Sequence, residues 1–338
     1  MSMKKLVCAE PGRFVYEEAE IPKPGKGESL LRVRKIGICG TDIHAFAGNQ
    51  PFFSYPRVLG HEVAADYVEG DAEGFAPGDK VTLIPYFTEG KDIASRMGKP
   101  NCTNDMRVLG VHIDGAMAEY VVVPSHALRK EEGLGYDDLV LVEPLSIGAH
   151  GVQRGGIIAG EYALVIGAGP IGLGIIALAN IAGAKVIALD VDATRLGYAK
   201  ELGAAHTISA KDADVYEQIS AITNGDMPTL LFDATGNTFA INNAFQYMAH
   251  GARYVLVGLQ KEEIHFSHPE FHKREGTLMS SRNALSSDFA YVMERLGDKS
   301  LKAEQFITRR VSFDKAAELF SDPNKPLLAG IKTVIEFD

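Results

Sequence analysis

Through the first 145 residues, apolar and polar positions alternate in short runs broken by glycine and proline, as in "SLLRVRKIGI", "EVAADYVEG", "DKVTLIPY" and "AEYVVVP". A period of two turns one face of each run toward a core and the other toward water. With turn signals such as "FAPGDKV" between them, these runs predict a barrel-like β domain. Near residue 145 the texture changes. From "YALVIGAGPIGLGIIALANIAGAKVIALDVDATRLGYAKELGA" onward, apolar runs of strand length alternate with helical stretches, and the alternation continues through "TLLFDATG", "ARYVLVGL" and "GTLMSSRN". Strand–helix–strand alternation predicts an α/β domain with a parallel, doubly wound sheet. Beyond about residue 285 there remain one helix ("SDFAYVMERL"), a turn ("SDPNKP") and a strand ("GIKTVIEF"). That is too little for a third domain. The expected division is therefore residues 1–145 with 286–338 in one domain and 146–285 in the other.

The glycines of "GAGPIGL" sharpen the second half. Gly167, Gly169 and Gly172 follow an apolar strand and open an alanine- and isoleucine-rich helix, with Pro170 and Ile171 between them. The first glycine allows a tight turn, the second lets backbone approach a pyrophosphate, and the third lets helix pack on strand. The helix N-terminus adds amide donors and a positive dipole. "KVIALD" ends a second strand in Asp190, placed to accept both ribose hydroxyls of a dinucleotide. Arg195, a few residues on, joins these as a cofactor-binding candidate. Asp190 is followed by Val191 rather than arginine, and a carboxylate repels a 2′-phosphate, so NAD is expected over NADP. An S-adenosylmethionine site shares the glycine turn and the acidic strand end; the metal-type residues described next argue against it.

Composition changes the picture in three ways. A length of 338 residues fits two domains, and 46% hydrophobic residues suffice for substantial cores. A net charge of −10 excludes a sequence-independent nucleic-acid surface and a polybasic membrane anchor. No apolar run reaches the roughly 18 residues of a membrane span, and "MSMKKLVCAE" has no apolar core of signal-peptide length behind its lysines. Three cysteines make no disulfide framework, so a reducing cytoplasm is the expected setting. Metal-type ligands concentrate in three stretches. "GICGTDIH" holds Cys39, Thr41, Asp42 and His44, "VLGHEVAA" holds His61 and Glu62, and "LVEPLSIGAH" holds Glu143. Each has a bland reading alone: a buried thiol, a satisfied pair, a helix cap. Together they supply thiolate, imidazole and carboxylate, the set that catalytic zinc accepts.

These stretches, with "YPRVLGHE", "GVHIDGAMAEYVVVP", "EPLSIGAH", "DATG" and "SRNA", resemble the zinc-dependent medium-chain dehydrogenase/reductase family nearly end to end. Glutamate in "EPLS" looks like the polyol and sugar-acid branch, whose members include sorbitol, idonate and galactonate dehydrogenases. The resemblance implies a GroES-like catalytic domain, a Rossmann domain and an active site in the cleft between them. It places Cys39, His61 and Glu143 on zinc-ligand positions. Glu62 falls on a carboxylate that is a ligand in some relatives and an exchangeable neighbour in others. Thr41 falls on the hydroxyl that receives the substrate's proton, and His44 is either the next relay member or a structural loop histidine. Zinc moves an alcohol pKa from about 16 toward 7, and nicotinamide takes the hydride. Three negative charges around a divalent ion oppose alkoxide formation, so Glu62 and Glu143 are expected to exchange at the metal during turnover. Candidate substrate contacts are Phe46, Phe53, Arg57, His112, Arg282 and Asn283, with core packing the alternative for the phenylalanines and a structural or cofactor bond for the arginines. The expected substrate is a small polyol or sugar acid. An amino alcohol such as threonine, a zinc-free quinone-reductase-like activity and a non-catalytic nucleotide sensor are the rivals. Relatives pair through the Rossmann sheet edge, so a homodimer or homotetramer is expected, with "GARYVLVGL" to "IHFSH" supplying that edge.

Many relatives also carry a second, structural zinc on four cysteines spaced C-x2-C-x2-C-x7-C. On "PYFTEGKDIASRMGKPNCTNDM" those positions become Glu89, Asp92, Ser95 and Thr103, and Cys102 lies beside the last. Without thiolates the structural zinc is expected to be absent. The lobe, residues 88–104, is then expected to be locally mobile for lack of its cross-link.

Overall fold

A computed structural model of the chain describes residues 2–50, 53–321 and 330–338. It divides into two compact units, Met1–Pro144 with Leu285–Asp338, and Leu145–Ala284. The turn "SDPNKP" lies mostly outside the described residues.

The first unit is built on a seven-stranded sheet. Its path runs Leu128–Arg129, Lys80–Leu83, Glu62–Gly70, Glu28–Gly37, Lys332–Glu336 and Ile307–Ser312, and Tyr120–Pro124 also pairs with Glu28–Gly37. The central strand buries Leu31, Val33 and Ile36, and two register shifts along its pairing with Glu62–Gly70 twist it. The last residue of this strand, Gly37, is opposite Glu62 on one side and Val334 on the other. The C-terminal strand is thereby laid against the segments that carry Cys39 and Glu62. A smaller sheet, Arg13–Glu20, Ser2–Glu10 and Arg57–Val58, closes the other side of the core.

The second unit holds six parallel strands. Taken across the sheet they are His206–Ser209, Lys185–Asp190, Tyr162–Ile166, Leu230–Asp233, Arg253–Leu256 and Thr277–Ser280. In chain order this is 3-2-1-4-5-6, the Rossmann arrangement, whose reversal point between the first and fourth strands makes a crevice for a dinucleotide. The inner strands are largely apolar because helices cover both faces, as with fully buried Leu164, Ile187, Leu231 and Tyr254. One expectation is corrected here. "ARYVLVGL" is an interior strand, because "GTLMSS" pairs beyond it in register from Arg253↔Thr277 to Leu256↔Ser280. The edge is Thr277–Ser280. No helix among the described residues is long and apolar enough to cross a membrane.

Candidate active site

Cys39 follows the central strand as the N-cap residue of the helix Gly40–Phe46. Asp42, in the first turn, sends its carboxylate back: Oδ2 accepts from the Cys39 amide at 2.9 Å, and Oδ1 accepts from the Gly60 amide at 3.1 Å. One buried aspartate therefore ties the loop bearing Cys39 to the residue just before His61. Cys39, His61 and Glu62 each offer a ligand atom, all within 4.8 Å of one another, and they form the only such group of three among the described residues. Glu143, in the first turn of the helix Val142–Gly155, is buried close enough to feel the charges of His61 and Glu62 but stands outside that tight group.

Electrostatics indicate what such a site fits. Burial alone would lower the His61 pKa, but Cys39, Asp42 and Glu143 overcome it and raise it well above the ordinary value. Burial and Glu62 likewise raise Glu143. Both shifts report the same deficit: the donors need a positive charge among them. His61 Nδ1 is a buried nitrogen with no hydrogen-bond partner. A soft thiolate, an imidazole and carboxylates around such a deficit fit a divalent zinc ion.

The layer behind these donors carries groups that no motif marks. Lys332, only 5% exposed, donates to Glu62 Oε1 at 2.6 Å, to Glu62 Oε2 at 2.8 Å and to the Ile38 carbonyl at 3.1 Å. Burial alone would lower the Lys332 pKa, but the Glu62 charge leads the neighbours that raise it. This adds a group to the charge count made from sequence. One ammonium is thereby set among the Cys39 thiolate, Glu62 and Glu143, which offsets part of the negative charge counted from sequence. Gly37 is required for the same carboxylate: a Cβ there would lie 2.0 Å from Glu62 Oε2. The Tyr86 hydroxyl donates to Glu143 Oε1. Lys332 and Tyr86 lack a sequence signal because they meet the site only through long-range pairing; the "G" of "KIGIC" is the sole local hint of Gly37.

In the second unit the glycine loop is shaped as its spacing predicts. A Cβ on Gly172 would meet the Gly167 carbonyl oxygen at 1.8 Å, whereas one on Gly169 would meet nothing within 4 Å. Helix packs on loop at the third glycine, and the middle one is left open to a ligand. Pro170 and Ile171 begin the helix Pro170–Ile181. Asp190 ends its strand buried, accepting from the Ala168 amide at 2.5 Å and the Asp192 amide at 2.8 Å. Arg195 lies in the first turn of the helix Ala193–Glu201, its amide donating to Asp192.

Residues 25–132 match the family described as alcohol dehydrogenase GroES-like domain, and residues 170–298 match zinc-binding dehydrogenase. The chain belongs to the zinc-type medium-chain dehydrogenases. This dehydrogenase is 40% identical to L-galactonate-5-dehydrogenase of Escherichia coli K12, over 98% of this chain and 99% of that protein. It is 31% identical to a sorbitol dehydrogenase of Halalkalibacterium halodurans, over 93% of this chain and 95% of that one. Among solved structures, the RspB alcohol dehydrogenase of Escherichia coli CFT073, complexed with NADH, superposes with a TM-score of 0.92 at 31% identity over 99% of each chain.

The remaining sequence candidates of this dehydrogenase are scattered. Thr41 is half-buried two residues past Cys39, and His44 is exposed, its Nδ1 bonded to Asn49 Oδ1 at 2.9 Å. Phe46 is a packing residue, stacked on Phe14 at 5.1 Å and against Phe320 at 5.6 Å. Phe53 packs edge-on to Tyr55. Arg57 bonds Ser54 Oγ at 2.8 Å and approaches Asp114 at 3.5 Å. His112 Nδ1 accepts from the Val108 amide at 3.0 Å, a local turn bond. Arg282 and Asn283 follow the strand Thr277–Ser280 in the second unit, Asn283 with a positive φ of 51°.

The lobe is tied by carboxylates. Asp92 accepts from the Ser95 and Asn104 amides, each at 3.0 Å, and Asp105 accepts from Thr88 Oγ1 at 2.6 Å and the Glu89 amide at 2.8 Å. Three of these bonds, from Asn104, Thr88 and Glu89, join the start of the lobe to its end, and the Ser95 bond caps a short helix inside it. The expectation of a lobe without a cross-link therefore overlooked Asp105, which lies outside the cysteine spacing.

Proposed function

We propose that this dehydrogenase oxidises a secondary hydroxyl of a sugar acid or polyol, using NAD and a zinc ion held by Cys39, His61 and Glu62 with Glu143 beside them. The observation that carries the proposal is the convergence of sulfur, imidazole and carboxylate within 4.8 Å in a buried, cation-deficient site. Zinc, when bound, supplies Lewis acidity that brings a hydroxyl pKa toward neutrality. Thr41 is the first acceptor of the hydroxyl proton. His44 donates from Nδ1 to Asn49 Oδ1, which leaves Nε2 as the nitrogen that takes the proton onward toward solvent. Asp190, held by two backbone amides, presents its carboxylate to a ribose diol and disfavours a 2′-phosphate.

The relative named L-galactonate-5-dehydrogenase supports an aldonate as the first substrate to try, and the sorbitol dehydrogenase supports neutral polyols as the second. A homo-oligomer formed through the free edge Thr277–Ser280, in a reducing cytoplasm that keeps Cys39 a thiol, completes the reading. The test is a panel of hexonates, polyols and threonine assayed with NAD and NADP, alongside metal analysis. One zinc per chain and NAD reduction by a hexonate are expected. Zinc-loaded protein that reduces NAD with no member of the panel would overturn the proposal, and metal-free protein active on quinones would favour the zinc-free rival.

A further inference from the structure

Two carboxylates share the candidate metal site, and the structure treats them differently. Glu62 has both oxygens bonded to an ammonium, which orients it and cancels its charge. Glu143 has one oxygen bonded to a neutral phenol, which orients it and leaves its charge intact. Tyr86 starts the short strand Tyr86–Phe87, paired with Arg107–Val108, and its ring meets Phe289 edge-on at 6.3 Å. The residue is thus held through its backbone by the strand pairing and through its ring by Phe289, which limits how far its hydroxyl can follow Glu143 if the carboxylate turns.

We propose that Tyr86 is a positioning residue for Glu143: by donating to Oε1 it holds the carboxylate in one rotamer and leaves Oε2 to serve the metal site. The inference rests on the functional reading above. A freely rotating Glu143 would offer its charge to His61 or Lys332 in turn, since both lie in its electrostatic reach. Fixing one oxygen removes that choice at no cost in charge. The two carboxylates acquire distinct duties: Glu62 is a neutralised member of the tight donor group, and Glu143 is a charged, oriented acceptor beside it.

The test uses Tyr86→Phe in the full chain, which keeps the ring against Phe289 and removes only the hydroxyl. Zinc affinity is measured by competition with a chromophoric chelator, in the parent background and in Glu143→Ala. The expected result is a loss of zinc affinity of about tenfold in the parent background, the size typical of lost outer-layer partners. In the Glu143→Ala background the same substitution is expected to change nothing further, because there is no carboxylate left to position. An affinity within about twofold of the parent overturns the inference, and so does an equal loss in both backgrounds, which would mean the hydroxyl acts through packing. A parent protein that binds no zinc overturns the functional reading itself, and is distinguished because it fails before any substitution is made.

Discussion

Gly37 has no side chain, yet it decides whether Glu62 can lie where it does. A Cβ would fall 2.0 Å from Glu62 Oε2, closer than any real contact, so Gly37→Ala must push the carboxylate off its partners. The expected outcome is protein destabilised by roughly 1–3 kcal/mol with a clear loss of bound zinc, read by chemical denaturation and metal analysis. Lys332 makes the complementary case. Replacing it by methionine leaves the buried Glu62 charge without its ammonium, and breaking such a pair costs about 3–5 kcal/mol. Because a bound divalent ion supplies the missing positive charge, zinc should raise the melting temperature of Lys332→Met more than that of the parent. Equal zinc increments in the two proteins would contradict that role. At the donors themselves, Cys39→Ala removes the one sulfur of the group and is expected to abolish stoichiometric zinc and NAD reduction together.

Between residues and domain, the lobe from residue 88 to 105 shows how one solution replaces another. Four metal-bound sulfurs would cross-link such a lobe; here the carboxylates of Asp92 and Asp105 tie its ends through three donor bonds. Backbone donation from Ser95 leads the causes that hold Asp92 below the ordinary carboxylate range, and the Thr88 hydroxyl leads those for Asp105. Chelators should therefore leave amide exchange in this lobe unchanged, whereas Asp92→Asn combined with Asp105→Asn should speed it. Exchange that accelerates on adding a chelator to the parent would show that a metal ties the lobe after all.

Across the first unit, an ion network gathers segments far apart in sequence. Asp137 receives two bonds from Arg310, each 2.8 Å, and one from Lys35 at 2.7 Å; Glu336 receives Lys35 at 2.8 Å and Arg310 at 2.9 Å. The network joins the central strand, the C-terminal strand, the strand Ile307–Ser312 and the helix Tyr136–Leu139. Arg310 leads the groups that lower Asp137, and Lys35 leads those that lower Glu336. Both carboxyls therefore have folded pKa values below their unfolded ones, which lie near 4. The stability they contribute is fully present above that range and is lost as pH falls through the lowered folded values. Stability of the parent should thus drop on acidification more than that of Asp137→Asn, as measured by urea unfolding at neutral and acid pH. Parallel losses would remove the network from the account.

What the amino-acid order determined was local. Alternation in "SLLRVRKIGI" placed a strand and glycine spacing in "GAGPIGL" placed a nucleotide turn, each written within a few neighbouring residues, while the residue types of Cys39, His61, Glu62 and Glu143 in three separate stretches suggested a metal site by their chemistry. Position in the sheet was not local: "ARYVLVGL" reads alike as an edge or an interior strand, and only the pairing with Thr277–Ser280 settles it. Phe46 illustrates the same limit, since an aromatic near a site motif turns out to be held by Phe14 and Phe320. Tertiary structure alone brought Lys332 to Glu62 across 270 positions and Tyr86 to Glu143 across 57. Buried charge is balanced by whichever group the fold carries to it, and contacts of that range leave no period or spacing in the chain.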